Sequence, residues 1–247
     1  MKISIAYSFL PKSPTANTSI VMDHFGVGME VGQNVIAENW ELPVHQGDVI
    51  CFTGASGSGK SSVMRAVAAQ LPDVVDINSI SLPTKPLVDG LDLPTQESIA
   101  LLSACGLGEA QLMLRLPSEL SDGQRYRFRL AMGLAQKPRW IFADEFTATL
   151  DRTLAKVIAF NVRRHADRTG MGFLLATTHE DILPDLDPSL HVQCQLGNEP
   201  VWVRSECKKK EKALCSAKWK SQPEREQTGR ISLGGITEAT TSGCPVL

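Results

Sequence analysis

The sequence predicts an α/β domain built on a parallel, buried sheet, and three observations carry that expectation. Short apolar, β-rich runs alternate with segments of helical period between residues 47 and 205. Those runs are apolar at successive positions, the pattern of strands covered on both faces. The first of them ends in a glycine-rich loop that opens directly into a helical segment, a junction suited to anions because a helix N-terminus presents free N–H groups and a positive dipole end.

Composition bounds the rest. A chain of 247 residues that is 43% hydrophobic can bury one sizeable core, as a single domain or a domain with an appendage. The formal net charge is −2. Eight of the 25 Lys/Arg and five of the 27 Asp/Glu fall after Ser205, which leaves residues 1–205 mildly acidic. That balance gives no support to attachment to nucleic acid. Cys51, Cys105, Cys194, Cys207, Cys215 and Cys244 include no Cys-x-x-Cys pair, which points to reduced thiols and a cytoplasmic setting. The apolar stretch near Met1 is too short for a signal peptide, and no run approaches the roughly 18–20 residues of a membrane helix. No direct membrane insertion is expected.

Taken in order, residues 1–45 read as irregular, with Pro11 and Pro14 among Ser and Thr. "GDVICFTG" is a buried strand, and "GKSSVMRAVAAQL" a helix with Val63, Ala66, Val67 and Leu71 on one face. Residues 80–95 read as loop. "TQESIALLSACGL" reads as a helix capped by Thr95 and stopped at Gly106, and Ser121 with Gln124 forms a capping box opening the next. "RWIFAD" and "GFLLATTH" are strands flanking a helix that ends at Gly170. "HVQCQL" and "PVWVRS" read as closing strands joined at a Gly197–Asn198 turn. The chain thus divides into an irregular segment (1–19), a main domain (20–205) and a basic, Ser/Thr/Gly-rich tail (206–247), disordered or truncated.

The loop reads Gly54-Ala55-Ser56-Gly57-Ser58-Gly59-Lys60-Ser61, a complete G-x-x-x-x-G-K-S. Its glycines let backbone N–H groups turn inward around phosphate oxygens. Lys60 would reach the β- and γ-phosphates of ATP, Ser61 would ligate Mg²⁺, and Ser62 completes the cradle. Asp144 ends the strand "WIFAD" and Glu145 follows. An acid at that strand tip can hold Mg²⁺, and a second beside it can polarise an attacking water as general base.

"LSDGQ" at 120–124 resembles the signature motif of ATP-binding cassette (ABC) ATPases, usually Leu-Ser-Gly-Gly-Gln, and Arg127 and Ala131 match its continuation. "ATLD", ending at Asp151, resembles the D-loop, and His179 in "LLATTHE" the switch histidine. These motifs follow the phosphate loop in family order across about residues 20–205. The resemblance implies an α/β P-loop sandwich and ATP hydrolysis. It also implies an ATP-dependent homodimer in which each ATP lies between one phosphate loop and the partner's Ser121, Gly123 and Gln124. His179 would then contact the γ-phosphate and orient the water with Glu145.

Three departures qualify the resemblance. Asp122 replaces a signature glycine and places a carboxylate near the expected γ-phosphate. Phe25 best matches the adenine-stacking aromatic, although the interval to the loop is a few residues long. The stretch from Gln96 to Ser121 is about half that of transporter ATPases, implying a shortened helical subdomain. Gln96 is either the Mg²⁺-sensing glutamine or simply a helix-opening residue. Phrases such as "ACGLGEA", "LSDGQRYRFRLA" and "ADEFTATLD" resemble most closely an ABC-type group found fused to a GNAT-like acetyltransferase domain, which makes such a domain a candidate partner. A non-transport task is the leading expectation. The alternatives are the ATP-binding subunit of a transporter, a DNA-linked ATPase of the SMC or repair type, and a nucleotide switch. The sequence shows no long heptads of the kind the DNA-linked class uses.

Overall fold

A computed structural model describes residues 1–8, 13, 15–27, 33–195 and 200–205, all within the compact unit Met1–Cys207. The expected turn at Gly197–Asn198 and the tail 206–247 lie outside the described residues.

The centre is a six-stranded sheet. Its strands are β3 (Val49–Thr53), β4 (Val74–Asp76), β5 (Trp140–Ala143), β6 (Gly172–Ala176), β7 (Leu190–Gln193) and β8 (Val201–Arg204). They lie in the order β4-β5-β6-β3-β7-β8, parallel from β4 through β7, with β8 antiparallel to β7 at the edge. Side chains alternate between two cores, as the pleat requires. Val49, Cys51, Ile141, Ala143, Phe173 and Leu175 face one core. Ile50, Phe52, Trp140, Phe142, Leu174 and Ala176 face the other. Both faces being covered explains why each strand reads as an unbroken apolar run.

The first core is closed by α3 (Thr95–Ala104), α4 (Ala110–Met113), α5 (Asp122–Ala135), α6 (Arg152–Thr169) and α7 (Leu183–Leu186). The second is closed by α2 (Lys60–Ala68), through Val63, Met64 and Val67, and by an antiparallel pair, β1 (Lys2–Ser8) with β2 (Gln33–Glu41). That pair corrects the expectation of irregular chain through residue 45. Ile3, Ile5, Ala37 and Trp40 are buried against α2 and the sheet, so tertiary packing supplies the order that local composition does not signal. Between the two strands, α1 (Ala16–Phe25) is opened by a Thr15–Thr18 capping box and ended by left-handed Gly26, and none of its residues is buried.

Two smaller corrections concern ends. Thr95 is the first residue of α3 rather than its cap; extended Pro94 (φ −53°, ψ 141°) holds the cap position, where its missing N–H is no loss. The helix does stop at Gly106, which has φ +74°. The sequence reading missed β4 because three residues are too few to show periodicity.

Burial pushes the thiols of Cys51 and Cys105 up to about 12, and all three described cysteines are free. Among the described residues, no helix is long and apolar enough to cross a membrane.

The sheet edge is pinned by charge. Arg204 on β8 forks onto buried Asp48, with Nη2 3.0 Å from Oδ1 and Nη1 3.1 Å from Oδ2. Arg204→Ala removes the guanidinium from a carboxylate that is 9% exposed and leaves it the His45 N–H at 2.8 Å, and is expected to cost about 1–3 kcal/mol, read as a lower urea midpoint with unchanged slope.

Candidate functional site

The loop 54–59 leaves β3 and enters α2 at the carboxyl edge of the parallel strands, where ligands of open α/β sheets gather. Its geometry depends on glycine. A Cβ on Gly54 (φ +138°) would lie 2.2 Å from the Cys194 carbonyl oxygen, and one on Gly59 (φ +86°) would lie 2.9 Å from Ile36 Cδ1. Gly57 has φ +80° with nothing within 4 Å, so only its backbone conformation demands glycine. Gly59 caps α2 with no side-chain hydrogen bond, which leaves the opening N–H groups of the helix without a side-chain acceptor. The Ser58 hydroxyl is buried and has no hydrogen-bond partner among the described residues. Lys60 Nζ folds back over the loop, donating to the carbonyls of Gly54 (2.9 Å) and Ala55 (2.7 Å). A phosphate would give this ammonium a stronger, charge-assisted partner than two neutral carbonyls.

An open cavity of about 470 Å³ lies over the loop, lined by residues that include Ser56, Gly57, Lys60, Ser61, Asp144 and Glu145. Asp144 is tied down at the tip of β5. Its Oδ1 accepts from the Glu145 N–H at 3.0 Å and its Oδ2 stands 3.7 Å from Arg65 Nη2 on α2. Asn78 Nδ2 donates to its carbonyl at 3.3 Å. Glu145 is exposed and left-handed (φ 55°), as is buried Thr147 (φ 66°) two residues on. For a β-branched residue this is a strained conformation, of order 1–3 kcal/mol. It is held by backbone bonds from Phe146 N to Ala176 O on β6 and, within the turn, from Leu150 N to Thr147 O. The resulting turn sets the Glu145 carboxylate at the cavity wall.

The oxygen donors at the wall suit a hard cation. Among the described residues no group of three or more His, Cys, Asp or Glu could hold a metal ion by itself. Ser61 and Asp144 offer two oxygens beside a phosphate-sized cradle, which matches an ion that takes its remaining ligands from phosphate and water.

His179 follows β6 and is half-buried; its N–H donates to Thr177 Oγ1 at 3.1 Å. Thr177 and Thr178 line the cavity, whereas His179, next in the chain, is not among its lining residues. Asp151 caps α6, with Oδ1 accepting from the Leu154 N–H at 2.9 Å. The next residue, Arg152, is paired with Asp181, which joins the Asp151 turn to the segment after His179 and holds the Asp181 carboxyl below its usual range. Ser121 and Gln124 form the expected capping box, at 3.3 and 3.0 Å. Gly123 packs so tightly that a Cβ would stand 2.9 Å from the Thr149 carbonyl oxygen. None of Ser121, Gly123 and Gln124 lines the cavity over the loop.

Phe25 and Gln96 are not brought to that cavity either. Phe25 is 73% exposed at the end of α1, its ring edge-on to His24. Gln96 is exposed in the first turn of α3. Sequence reasoning missed Arg65, Asn78 and the Arg152–Asp181 link. "THED" following an apolar strand carries Asp181 in plain sight, but nothing local pairs it with Arg152.

A phosphate cradle, an acidic pair on the adjacent strand tip and a second helix N-terminus braced by the loop after that pair are the site features expected of an ATPase of the ATP-binding cassette type. No family model matches the chain. It is similar to lipoprotein-releasing system ATP-binding protein LolD of Shewanella denitrificans, 24% identical over 192 residues that span 62% of this chain and 82% of that one. It is also similar to an aliphatic sulfonates import ATP-binding protein of Rhodococcus jostii, 28% identical over 167 residues, 60% of this chain and 68% of that one. Among solved structures, a dimeric, post-hydrolysis ATP-binding cassette bound to ADP and Pi aligns with TM-score 0.60 at 16% identity, covering 82% of this chain and 96% of that one. That likeness gives the cassette fold.

Proposed function

We propose that this chain hydrolyses ATP in a Mg²⁺-dependent reaction within a head-to-tail homodimer, in the cytoplasm, for a task other than transport. The observation that carries the composite site is the separation of two anion-binding helix ends. The N-terminus of α2 borders the cavity, while Ser121, Gly123 and Gln124 at the start of α5 do not. A second copy supplies the missing face. The dimeric cassette of similar fold supports that arrangement.

Residues 54–62 hold the triphosphate, with Ser58 and the α2 N–H groups as donors and Lys60 moved from its two carbonyls onto the β- and γ-phosphates. Ser61 and Asp144 would hold Mg²⁺, which when bound offsets phosphate charge. Glu145 accepts the proton of the attacking water, and His179 fixes that water against the γ-phosphate. Lys60 and the partner's Ser121 stabilise charge developing on the transferred group. Asp151 orders the turn that both subunits place at their junction. Phe25 is the adenine-stacking candidate only if α1 moves toward the loop, and Gln96 keeps a Mg²⁺-sensing role only on closure of the helical arm.

The compact connection between α3 and α5, with the four-residue α4 as its one intervening α-helix, supports the non-transport task by leaving little surface for a membrane subunit. The second reading is a transporter ATP-binding subunit, favoured by the lipoprotein-releasing and sulfonate-import relatives. Detergent extraction of a tagged chain decides between them. A soluble, membrane-free pool is expected, and stoichiometric recovery with a multi-span membrane protein would establish the transporter reading. Recovery with an acetyltransferase-like protein would support the partner domain that the sequence phrases indicate.

The catalytic part is tested by phosphate release from the purified chain. Activity should need Mg²⁺ and fall at least about 100-fold in Lys60→Ala, in line with the loss of a charged transition-state contact. Equal activity in chelator, or in Lys60→Ala, would refute it.

A further inference from the structure

Asp122 is the first helical residue of α5, at the N-terminus that the dimer reading aims at the partner's γ-phosphate. In the isolated chain a carboxylate there is favourable, since it meets the positive end of the helix. In the closed dimer the same N–H groups must serve a phosphate, and an unpaired carboxylate beside it would repel it.

The backbone cannot turn away to relieve that conflict. A Cβ on Gly123 would already stand 2.9 Å from the Thr149 carbonyl oxygen, and Arg127 Nε donates to the Gly123 carbonyl at 3.2 Å. The Ser121–Gln124 box fixes the turn from the other side. What remains is the side chain. Asp122 Oδ1 lies 2.9 Å from Arg125 Nη2, one turn along the same helix face. Arg125 is partly covered: its side chain is 39% exposed against 85% for Asp122, and its Nε is buried with no partner among the described residues, which leaves the Nη2 end to meet the carboxylate.

We propose that Arg125 is a positioning residue of the composite ATP site, holding the Asp122 carboxylate along the α5 surface and cancelling its charge so that the opening N–H groups are left for the partner's γ-phosphate. The inference rests on the dimer reading. It assigns to the pair, not to Asp122 alone, the chemistry that a glycine at position 122 would leave neutral.

The test uses the full chain in a Glu145→Gln background, where hydrolysis does not drain the ATP state. Dimer affinity is measured by light scattering with Mg·ATP, and loop occupancy by a trinitrophenyl-ATP titration. Arg125→Gln should weaken dimerisation about tenfold, equivalent to about 1.4 kcal/mol, with nucleotide affinity of the monomer unchanged. Adding Asp122→Gly should restore dimerisation to within about twofold of the parent. Arg125→Lys should keep most of it, and Asp122→Gly alone should leave dimerisation equal or tighter. A general packing role for Arg125 would not give that rescue. The proposal is overturned if Arg125→Gln has no effect, if Asp122→Gly fails to rescue it, or if Asp122→Gly alone weakens the dimer. If the parent Glu145→Gln chain binds trinitrophenyl-ATP yet stays monomeric with Mg·ATP, the dimer reading fails first and takes this inference with it.

Discussion

Glu145→Gln is expected to lower steady-state ATP hydrolysis by roughly 10²–10⁴-fold, the range for loss of a general base, while ATP binding survives. The reason lies in where the residue sits. Glu145 lines the cavity on an exposed, left-handed residue, and Asp144, the candidate Mg²⁺ ligand, is held separately by the Glu145 N–H and by Arg65. A change from carboxylate to amide therefore removes proton-accepting capacity without disturbing the cradle, Lys60 or Ser61. Asp144→Asn should behave differently, weakening Mg·ATP affinity itself and loosening the Arg65 contact. Single-turnover hydrolysis alongside equilibrium binding separates the two. If Glu145→Gln retained more than about a tenth of parental turnover, the water would have another base and His179 would be the first alternative.

The second large effect is structural. Gly54→Ala introduces a Cβ 2.2 Å from the Cys194 carbonyl oxygen and 2.8 Å from Ser58 Oγ, at φ +138°. The first contact is with backbone that is itself fixed, since the Cys194 N–H donates to Thr53 O at 2.8 Å. Conformational strain and overpacking each cost about 1–3 kcal/mol, so a loss of about 2–6 kcal/mol is expected from a total that is typically 5–15. The loop would be displaced in whatever fraction still folds, and ATP affinity should drop at least about 100-fold. Gly57→Ala is the informative control. Gly57 has positive φ but no neighbour within 4 Å, so strain acts alone and costs about 1–2 kcal/mol. Urea unfolding of both variants checks the ranking, and equal losses would mean that the Cys194 contact does not bind the loop.

The parts of this molecule that were legible in the sequence are those in which one short stretch carries the whole physical reason. β3 followed by Gly54–Lys60 and α2 is such a stretch: five buried strand residues, a glycine turn and a helix with Val63 and Val67 inward. The Ser121–Gln124 box is equally local and formed as read, whereas the Asp151 cap, although local, was read only as the end of a D-loop-like segment. What escaped depends on contacts between distant segments. β1 and β2 look irregular because their order comes from Ile3, Ala37 and Trp40 meeting α2 and the sheet, not from a repeating pattern. The Arg65–Asp144 and Arg152–Asp181 pairs join separate elements, so no spacing rule points to them. Asp122 shows the intermediate case. The sequence reveals an acid where a glycine is usual; only the structure reveals that Arg125, one turn away, is already paired with it.

ATP is expected to close two copies of this chain around shared sites. The measurement that tests it most directly is the solution mass of the Glu145→Gln protein by light scattering, with and without Mg·ATP. A monomer near 26.9 kDa is expected without nucleotide and a dimer near twice that mass with it, reversed by Ser121→Glu at the α5 N-terminus. A protein that binds Mg·ATP and remains monomeric across micromolar concentrations would contradict it.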